Sequence, residues 1–376
     1  MKNPLIYIIF ILTGLLTGCQ SAVNTDAPAA GEKEVAKKPK NIILLIGDGM
    51  GVSQVSASFY WGDGNPNFQR FQQIGLIKTN SSRQKVTDSA AGATAFASGE
   101  KTYNGAIGVA DDTTSIKTIL EIASEGDKST GVVATSTITH ATPAAFYAHI
   151  DSRGKQEGIA EQLVTSSVDY FAGGGGKFFF NRSDGKDLMP GLQENGFIID
   201  TTQLAPSVEF GKKYGFLLAA DGMPRMLDGR GDFLPRATQQ ALEYLSQDEE
   251  GFFLMVEASQ IDWAGHANDA EYVKTEVLDF DQVIGIALDF AEKEGNTLVV
   301  VTADHETGGY SLTASSKTNA DGTTSSNYAE IGPTFSTGGH SATLIPVFAH
   351  GPGAESFSGI YENTDIFHKM KALAGW

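Results

Sequence analysis

Residues 297–309 read TLVVVTADHETGG. Leu298–Val301 is apolar at every position, and the run ends in Asp304, His305 and Glu306 before the paired glycines Gly308 and Gly309. A strand with one solvated face alternates apolar and polar residues; a strand buried on both faces does not. The stretch therefore reads as an internal strand of a parallel sheet. Its acids and imidazole fall where such sheets present ligand-binding residues, just beyond the carboxyl ends of the strands.

Four further runs share this character: IILLI (42–46), GVVATS (131–136), FFLMVEAS (252–259) and LIPVFA (344–349). All are expected to be parallel strands. Between them lie amphipathic stretches at 116–125, 235–247 and 269–294. In the last, Val273, Val277, Phe280, Ile284, Ala287 and Ala291 recur at helical spacing, and Gly295 stands where a C-cap belongs. The alternation predicts an α/β fold, a three-layer α/β/α sandwich around a mainly parallel sheet. No internal repeat interrupts it.

Composition bounds the function. The chain has 376 residues, is 41% hydrophobic and contains 12 prolines, which suits a large globular core. A formal net charge of −18 argues against nucleic-acid recognition, because no basic run exceeds GEKEVAKKPK (31–40). An anionic ligand must be held by local groups. The only cysteine is Cys19, so the folded region has neither a disulfide nor a thiolate metal ligand.

The first residues read as a targeting segment. Lys2 precedes a mostly apolar stretch from Leu5 to Leu16, and Leu16-Thr17-Gly18-Cys19 resembles a bacterial lipobox. The expected organisation is a lipoprotein signal peptide over 1–19, a flexible tether over 20–40 and one catalytic domain over 41–376. The protein would be exported and held at a membrane only through lipid on Cys19. Residues 310–335, polar and rich in Ser and Thr, are expected to form a small surface insertion.

Chemistry-bearing residues cluster at the ends of the apolar runs. Asp48 lies in Gly47-Asp48-Gly49-Met50-Gly51, a stretch that taken alone fits a tight turn better than a ligand site. Glu257 sits inside an apolar strand, where an acid costs free energy unless it is paired or binds metal. Asp262 and His266 follow it, and His340 precedes the last run in a glycine-rich loop. Of 7 histidines, His266, His305 and His340 stand beside strands and near Asp or Gly, whereas His149, His350 and His368 read as structural or exposed. Nitrogen and oxygen donors without sulfur suit catalytic zinc, and Glu257 with a hydroxyl suits magnesium. The pattern points to a multi-metal hydrolase. VTDSAAGATAFASG (86–99) adds Ser89 at the start of a helix of small residues, capped by Asp88 and ended by Gly99. Gly173–Gly176 lacks a P-loop lysine and reads as a turn.

Asn41–Gly51, Thr87–Ala95, Thr302–Gly309 and Gly338–Ser341 together resemble, in order, the signature blocks of alkaline phosphatases. The resemblance spans about residues 41–350 and implies two Zn2+ and one Mg2+ per chain. It implies Ser89 as a nucleophile that forms a phosphoseryl intermediate, and Arg153 as the group holding phosphate oxygens. Asp262, His266 and His340 would ligate one zinc, and Asp48, Asp304 and His305 the other. Asp48 would bridge to a magnesium completed by Glu257 and Thr142. Two positions depart from the best-known bacterial pattern: His140 replaces an aspartate and Trp263 a lysine, both placed behind the ligands and near the phosphate. They bear on metal identity at the third site and on how phosphate is held. The implied substrates are small phosphate monoesters, and a homodimer is common in this family. Hydrolysis of diesters or sulfate esters is the nearest alternative, disfavoured because no Cys/Ser-x-Pro-x-Arg signature is present. A non-enzymatic lipoprotein that binds metal or phosphate is the other.

Overall fold

The computed structural model describes residues 38–376. The signal peptide, the lipobox with Cys19 and the tether up to residue 37 lie outside the described residues. The tether's last residue is already anchored, since Lys40 N donates to Asn296 O at 2.8 Å.

The strands are β1 (Asn41–Gly47), β2 (Gln73–Lys78), β3 (Ser129–Thr137), β4 (Tyr170–Gly174), β5 (Phe197–Asp200), β6 (Lys213–Leu217), β7 (Phe252–Ala258) and β8 (Thr297–Thr302). After them come β9 (Glu306–Thr307), β10 (Ser311–Thr318), β11 (Thr324–Thr334), β12 (His340–Ser341), β13 (Ile345–His350) and β14 (Gly359–Glu362). Ten form one sheet in the order β14-β2-β13-β8-β1-β7-β3-β4-β6-β5. Every residue of β1, β3, β7 and β8 is buried, as the unbroken apolar runs require. Each aliphatic side chain so placed contributes about 1.5–3 kcal/mol.

The helices are α1 (Val52–Trp61), α2 (Ser89–Ser98), α3 (Ile119–Glu125), α4 (Ala141–Ala144), α5 (Gln156–Val164), α6 (Met189–Glu194), α7 (Phe233–Leu245), α8 (Gln260–Ala267), α9 (Ala270–Glu294) and α10 (Thr364–Ala374). α1, α7 and α8 pack on α9, which rests on β1, β7 and β8; α3, α4 and α10 gather around α2 and rest on β1, β3 and β7. The same strands thus carry two groups of helices. α9 follows its sequence pattern closely, with Asp269 accepting from Glu271 N and Tyr272 N, and Gly295 in the left-handed region at φ 68°.

Three expectations are corrected. LIPVFA forms β13, which is antiparallel to both β8 and β2. No helix crosses over between β8 and β13; the chain stays at the carboxyl edge through β9–β12 and re-enters the sheet from there. The helix expected from 116 starts at Ile119, because Thr118 accepts from Glu121 N while Glu121 accepts from Thr118 N, a capping box. Gly173 and Gly174 belong to β4, with only Gly175 in a turn-type conformation at φ 103°. A Cβ on Gly174 would lie 1.9 Å from Asp221 O, so the glycine serves the close approach of another loop. The short strands β2, β4, β5, β6 and β14 carry too little pattern to be read in advance. Residues 311–334 form the two-stranded β10–β11 hairpin, largely exposed.

The segment bearing Arg153 is fixed by its neighbours. Ile107 and Ile150 exchange backbone hydrogen bonds, and Arg153 N donates to Gly105 O at 2.7 Å. His149 Nδ1 meets Gly108 O at 2.7 Å and Nε2 meets Glu121 Oε1 at 2.9 Å. Both ring nitrogens face acceptors, so the ring carries both protons. The Glu121 hydrogen bond raises the His149 pKa above its ordinary 6.5. Such a contribution is complete below the unfolded pKa and fades as pH rises through the higher folded value. The stability deficit of His149→Gln in thermal unfolding, about 1 kcal/mol or less, is therefore expected to be larger near about pH 6 than about pH 9. Equal deficits at both would refute the imidazolium assignment.

Candidate active site

The site is built along the carboxyl edge of β8, β1 and β7. Asp304 follows β8, Asp48 follows β1, and Glu257 lies in β7 beside Ile46 of β1 and Ala134 of β3. α8 carries Asp262 and His266 one turn apart. β12 pairs with β9, opposing His340 to Thr307, and brings the last histidine in from the hairpin side. Gly49, at φ 73°, lets the turn after β1 come close: a Cβ there would be 2.7 Å from Asp262 Cα.

The imidazoles are oriented by oxygen acceptors. His340 Nδ1 donates to Thr87 O at 2.9 Å, and His266 Nδ1 to Gly338 O at 2.8 Å. The Thr307 hydroxyl donates to Asp262 Oδ1 at 2.5 Å, and therefore accepts from His305 Nδ1 at 3.1 Å. Each ring has its Nδ1 proton occupied, which leaves an Nε2 lone pair facing inward. His305 Nε2 stands 3.2 Å from Asp304 Oδ2, 3.6 Å from Asp48 Oδ1 and 3.3 Å from Ser89 Oγ. His340 Nε2 is 3.1 Å from His266 Nε2 and 3.6 Å from Asp262 Oδ1.

Imidazole nitrogens thus crowd against carboxylate oxygens. Both carboxylate oxygens of Asp48, together with Glu257 Oε1, Asp304 Oδ2 and Thr142 Oγ1, are buried without a hydrogen-bond partner. Burial, then the charges of Asp304, Asp262 and Glu257, holds Asp48 well above the usual carboxylate range. Burial raises Asp304 too and pushes Glu257 up to about 7. His305 is pulled down to about 3, first by burial and then by His340, so its ring is neutral. Unpaired buried carboxylates cost several kcal/mol each. Bound cations remove that cost, and the donor set of imidazole nitrogens and carboxylate oxygens fits them.

Three groups have ligand atoms within 4.8 Å of one another: Asp262, His305 and His340; Asp48, Asp304 and His305; and Asp48, His140 and Glu257. His305 joins two of them, its ring stacked on His340 at a centroid distance of 3.5 Å. His266 stands just outside the first group, 3.4 Å from Asp262 Oδ1. His140, expected behind the ligands, falls within the third group. It is neutral, its pKa lowered to about 3 by burial and next by Arg153. The Trp263 indole meets its ring edge-on at a centroid distance of 6.1 Å.

Ser89 opens α2, and Asp88 caps it by accepting from Ala91 N at 3.1 Å. Such a cap is worth about 1 kcal/mol. The small residues have a specific reason at Gly92, where a Cβ would come 2.9 Å from Asp304 Cβ. Asp88 also accepts from Arg153 Nη1 at 3.0 Å, while Arg153 Nη2 donates to His140 Nε2 at 3.1 Å. One proton on each terminal nitrogen is thereby used, which leaves the rest of the fork for a ligand.

Several supporting residues are absent from the sequence reading. Ser136 and Ser259 donate to Glu257 Oε2 at 3.1 and 2.6 Å. Buried Glu306 accepts from Gln54 Nε2 at 3.0 Å, from Tyr310 N at 3.0 Å and from the Ser341 hydroxyl. Only Thr307 carried a signal, because it shares the period-two face of His305. His149 and His368 are structural as expected, the latter on Gly99 O at 3.2 Å.

The alkaline phosphatase family model matches residues 39–331 and 313–376. Alkaline phosphatase 3 of Bacillus subtilis is 36% identical over 97% of this chain and 96% of its own. The Escherichia coli alkaline phosphatase is 34% identical over 96% and 90%. The solved alkaline phosphatase of the Antarctic bacterium TAB5 is 58% identical, with a TM-score of 0.87 over 91% of this chain and 99% of that one. A histidine-to-aspartate mutant of the TAB5 enzyme, described with Mg bound in its M3 site, has a TM-score of 0.88 at 57% identity.

Asp48→Asn tests the electrostatic reading. Without metal, the variant is expected to be at least as stable as the parent, since a buried unpaired carboxyl is removed. Zinc at about 100 times its dissociation constant should stabilise the parent by about 2.7 kcal/mol per site and the variant far less. Thermal unfolding with zinc and with chelator measures both. A parent indifferent to zinc would overturn the assignment.

Proposed function

This chain belongs to the alkaline phosphatase family and hydrolyses phosphate monoesters, and from that premise we propose a covalent route through Ser89. The observation that carries it is the placing of one hydroxyl. Ser89 Oγ lies at the head of α2, 3.3 Å from an imidazole nitrogen whose lone pair is free.

In the first step Ser89 Oγ forms a bond to phosphorus and the ester P–O bond breaks, releasing the alcohol. Water then cleaves the Oγ–P bond and frees inorganic phosphate. Two zinc ions and one magnesium ion, when bound, supply charge that lowers the Ser89 pKa and offsets charge on the leaving and attacking oxygens. Asp48, Asp304 and His305 would hold one zinc, and Asp262, His266 and His340 the other, with His305 leaning toward both. Asp48, Glu257 and Thr142 would hold the magnesium, with His140 beside them. Arg153 binds two phosphoryl oxygens in its planar fork, held in orientation by Asp88 and His140. The α2 N-terminus adds its partial positive charge. Neutral Trp263 bounds the phosphate side without a charge of its own. The groups gathered here act on the phosphoryl group itself, which supports a broad substrate range.

Ser89→Ala is expected to lower kcat for p-nitrophenyl phosphate by about three orders of magnitude or more while leaving zinc content near that of the parent. Acid quenching during turnover should trap phosphate on Ser89 in the parent. Full turnover by the variant, or turnover by the parent unaffected by chelator, would defeat the proposal.

We further propose that the catalytic domain is exported and anchored through Cys19, on the strength of the Leu16–Cys19 run. Cys19→Ala should move activity from the membrane fraction to the soluble one. An unchanged distribution would exclude the anchor.

A further inference from the structure

The chain carries 27 Lys and Arg against 45 Asp and Glu, yet one cleft of about 390 Å³ is lined by Lys78, Arg83 and Lys85 and by no acid. Its remaining walls are hydroxyls and amides, among them Asn80 and Ser82, together with Ala342.

The topology sets this cleft on the same edge of the sheet as the candidate active site. β8 ends there, antiparallel β13 begins there, and β2, antiparallel to β13, ends there at Lys78. The segment beyond β2 then leads into the helix that carries Ser89. Lys85 and Ser89 are four residues apart, so their Cα atoms lie within about 14 Å. Thr87 O accepts from His340 Nδ1 at 2.9 Å, and Ala342 in the cleft wall is two residues beyond His340.

The cations are only partly neutralised. Lys78 and Lys101 share a single carboxylate, Glu362, at 2.6 and 2.9 Å. Arg83 pairs with Asp111 at 3.5 Å and lies over the Tyr103 ring at 4.6 Å, which fixes the loop. Lys85 has no ion-pair partner among the described residues and is exposed. An acidic protein repels a polyanion, and a cluster of partly neutralised cations on the active-site edge of the sheet counters that repulsion locally.

We infer that this cleft is a subsite for the leaving group, selecting phosphoryl donors whose leaving group carries a second phosphate. The inference rests on the phosphomonoesterase reading above. A nucleoside diphosphate fits it: the terminal phosphoryl transfers to Ser89, the bridging oxygen and its electron pair depart with the nucleoside monophosphate, whose phosphate thereby gains its second negative charge, and the cleft holds that charge as the P–O bond breaks.

ADP and AMP make a matched pair, since AMP releases neutral adenosine. The ratio of kcat/KM for ADP to that for AMP is independent of the active fraction of a preparation. In Lys85→Glu the ratio is expected to fall about three- to fivefold at low salt, the size of one exposed charge contact, and in Lys85→Gln by less. High salt should shrink the difference. Lys293→Glu makes the same charge change at the far end of α9, at the amino edge of the sheet, and should leave the ratio alone. An unchanged ratio in Lys85→Glu, or an equal fall in Lys293→Glu, overturns the subsite. AMP turnover by the parent reports on the phosphomonoesterase separately.

Discussion

Imidazole nitrogens and carboxylate oxygens converge at the carboxyl edge of the sheet, several of the oxygens buried without a hydrogen-bond donor. That arrangement is unfavourable in itself, and the rest of the molecule is organised to impose it. Each ring is turned by a hydrogen bond on its far side, from Thr87 O, Gly338 O or the Thr307 hydroxyl, so no ring can rotate its proton inward without losing a partner. The carboxylates are fixed by the fold, Glu257 within β7, Asp48 and Asp304 just beyond β1 and β8, and Asp262 on α8. A cation is the one partner that satisfies all of these groups together, and the preorganised site has already met the cost of gathering them.

Much of this could be read from the chain because burial on both faces leaves an unmistakable pattern. Four apolar runs placed β1, β3, β7 and β8, and polar residues after or within them supply most of the candidate metal groups. Asp48 was ambiguous alone and became readable only beside Asp304 and Glu257. What escaped reading is what depends on distant pairing. Thr307 orients His305 through Asp262, 45 residues away, and Ser136 reaches Glu257 across 121 residues. Hydroxyls are common, and nothing local marks the few that meet a buried carboxylate. The orientation of β13 escaped for a related reason: strand direction is set by where the preceding connection ends and leaves no mark on the strand's own composition.

The helix of small residues after Ser89 joins the two levels. Its Ala and Gly positions would be poor evidence of anything in isolation. Packed against Asp304, they bring the helix N-terminus and its hydroxyl within reach of His305, and the same Asp88 that caps the helix holds Arg153. One residue thus couples the placement of Ser89 to that of the Arg153 guanidinium. Coupling of that kind makes substitutions at Ser89 and Arg153 non-additive, since each alters the geometry in which the other acts.

The β9–β12 pairing has a different significance. It clamps the chain at Thr307 and His340, and everything between those residues leaves and returns through a single two-residue ladder. A loop closed in this way can change length at small cost, since doubling it adds only about 0.6 kcal/mol of closure entropy. The β10–β11 hairpin is therefore a graft point. Lineages of this fold can elaborate, trim or replace it, and acquire new surfaces there, while the histidine beyond it returns to the same place.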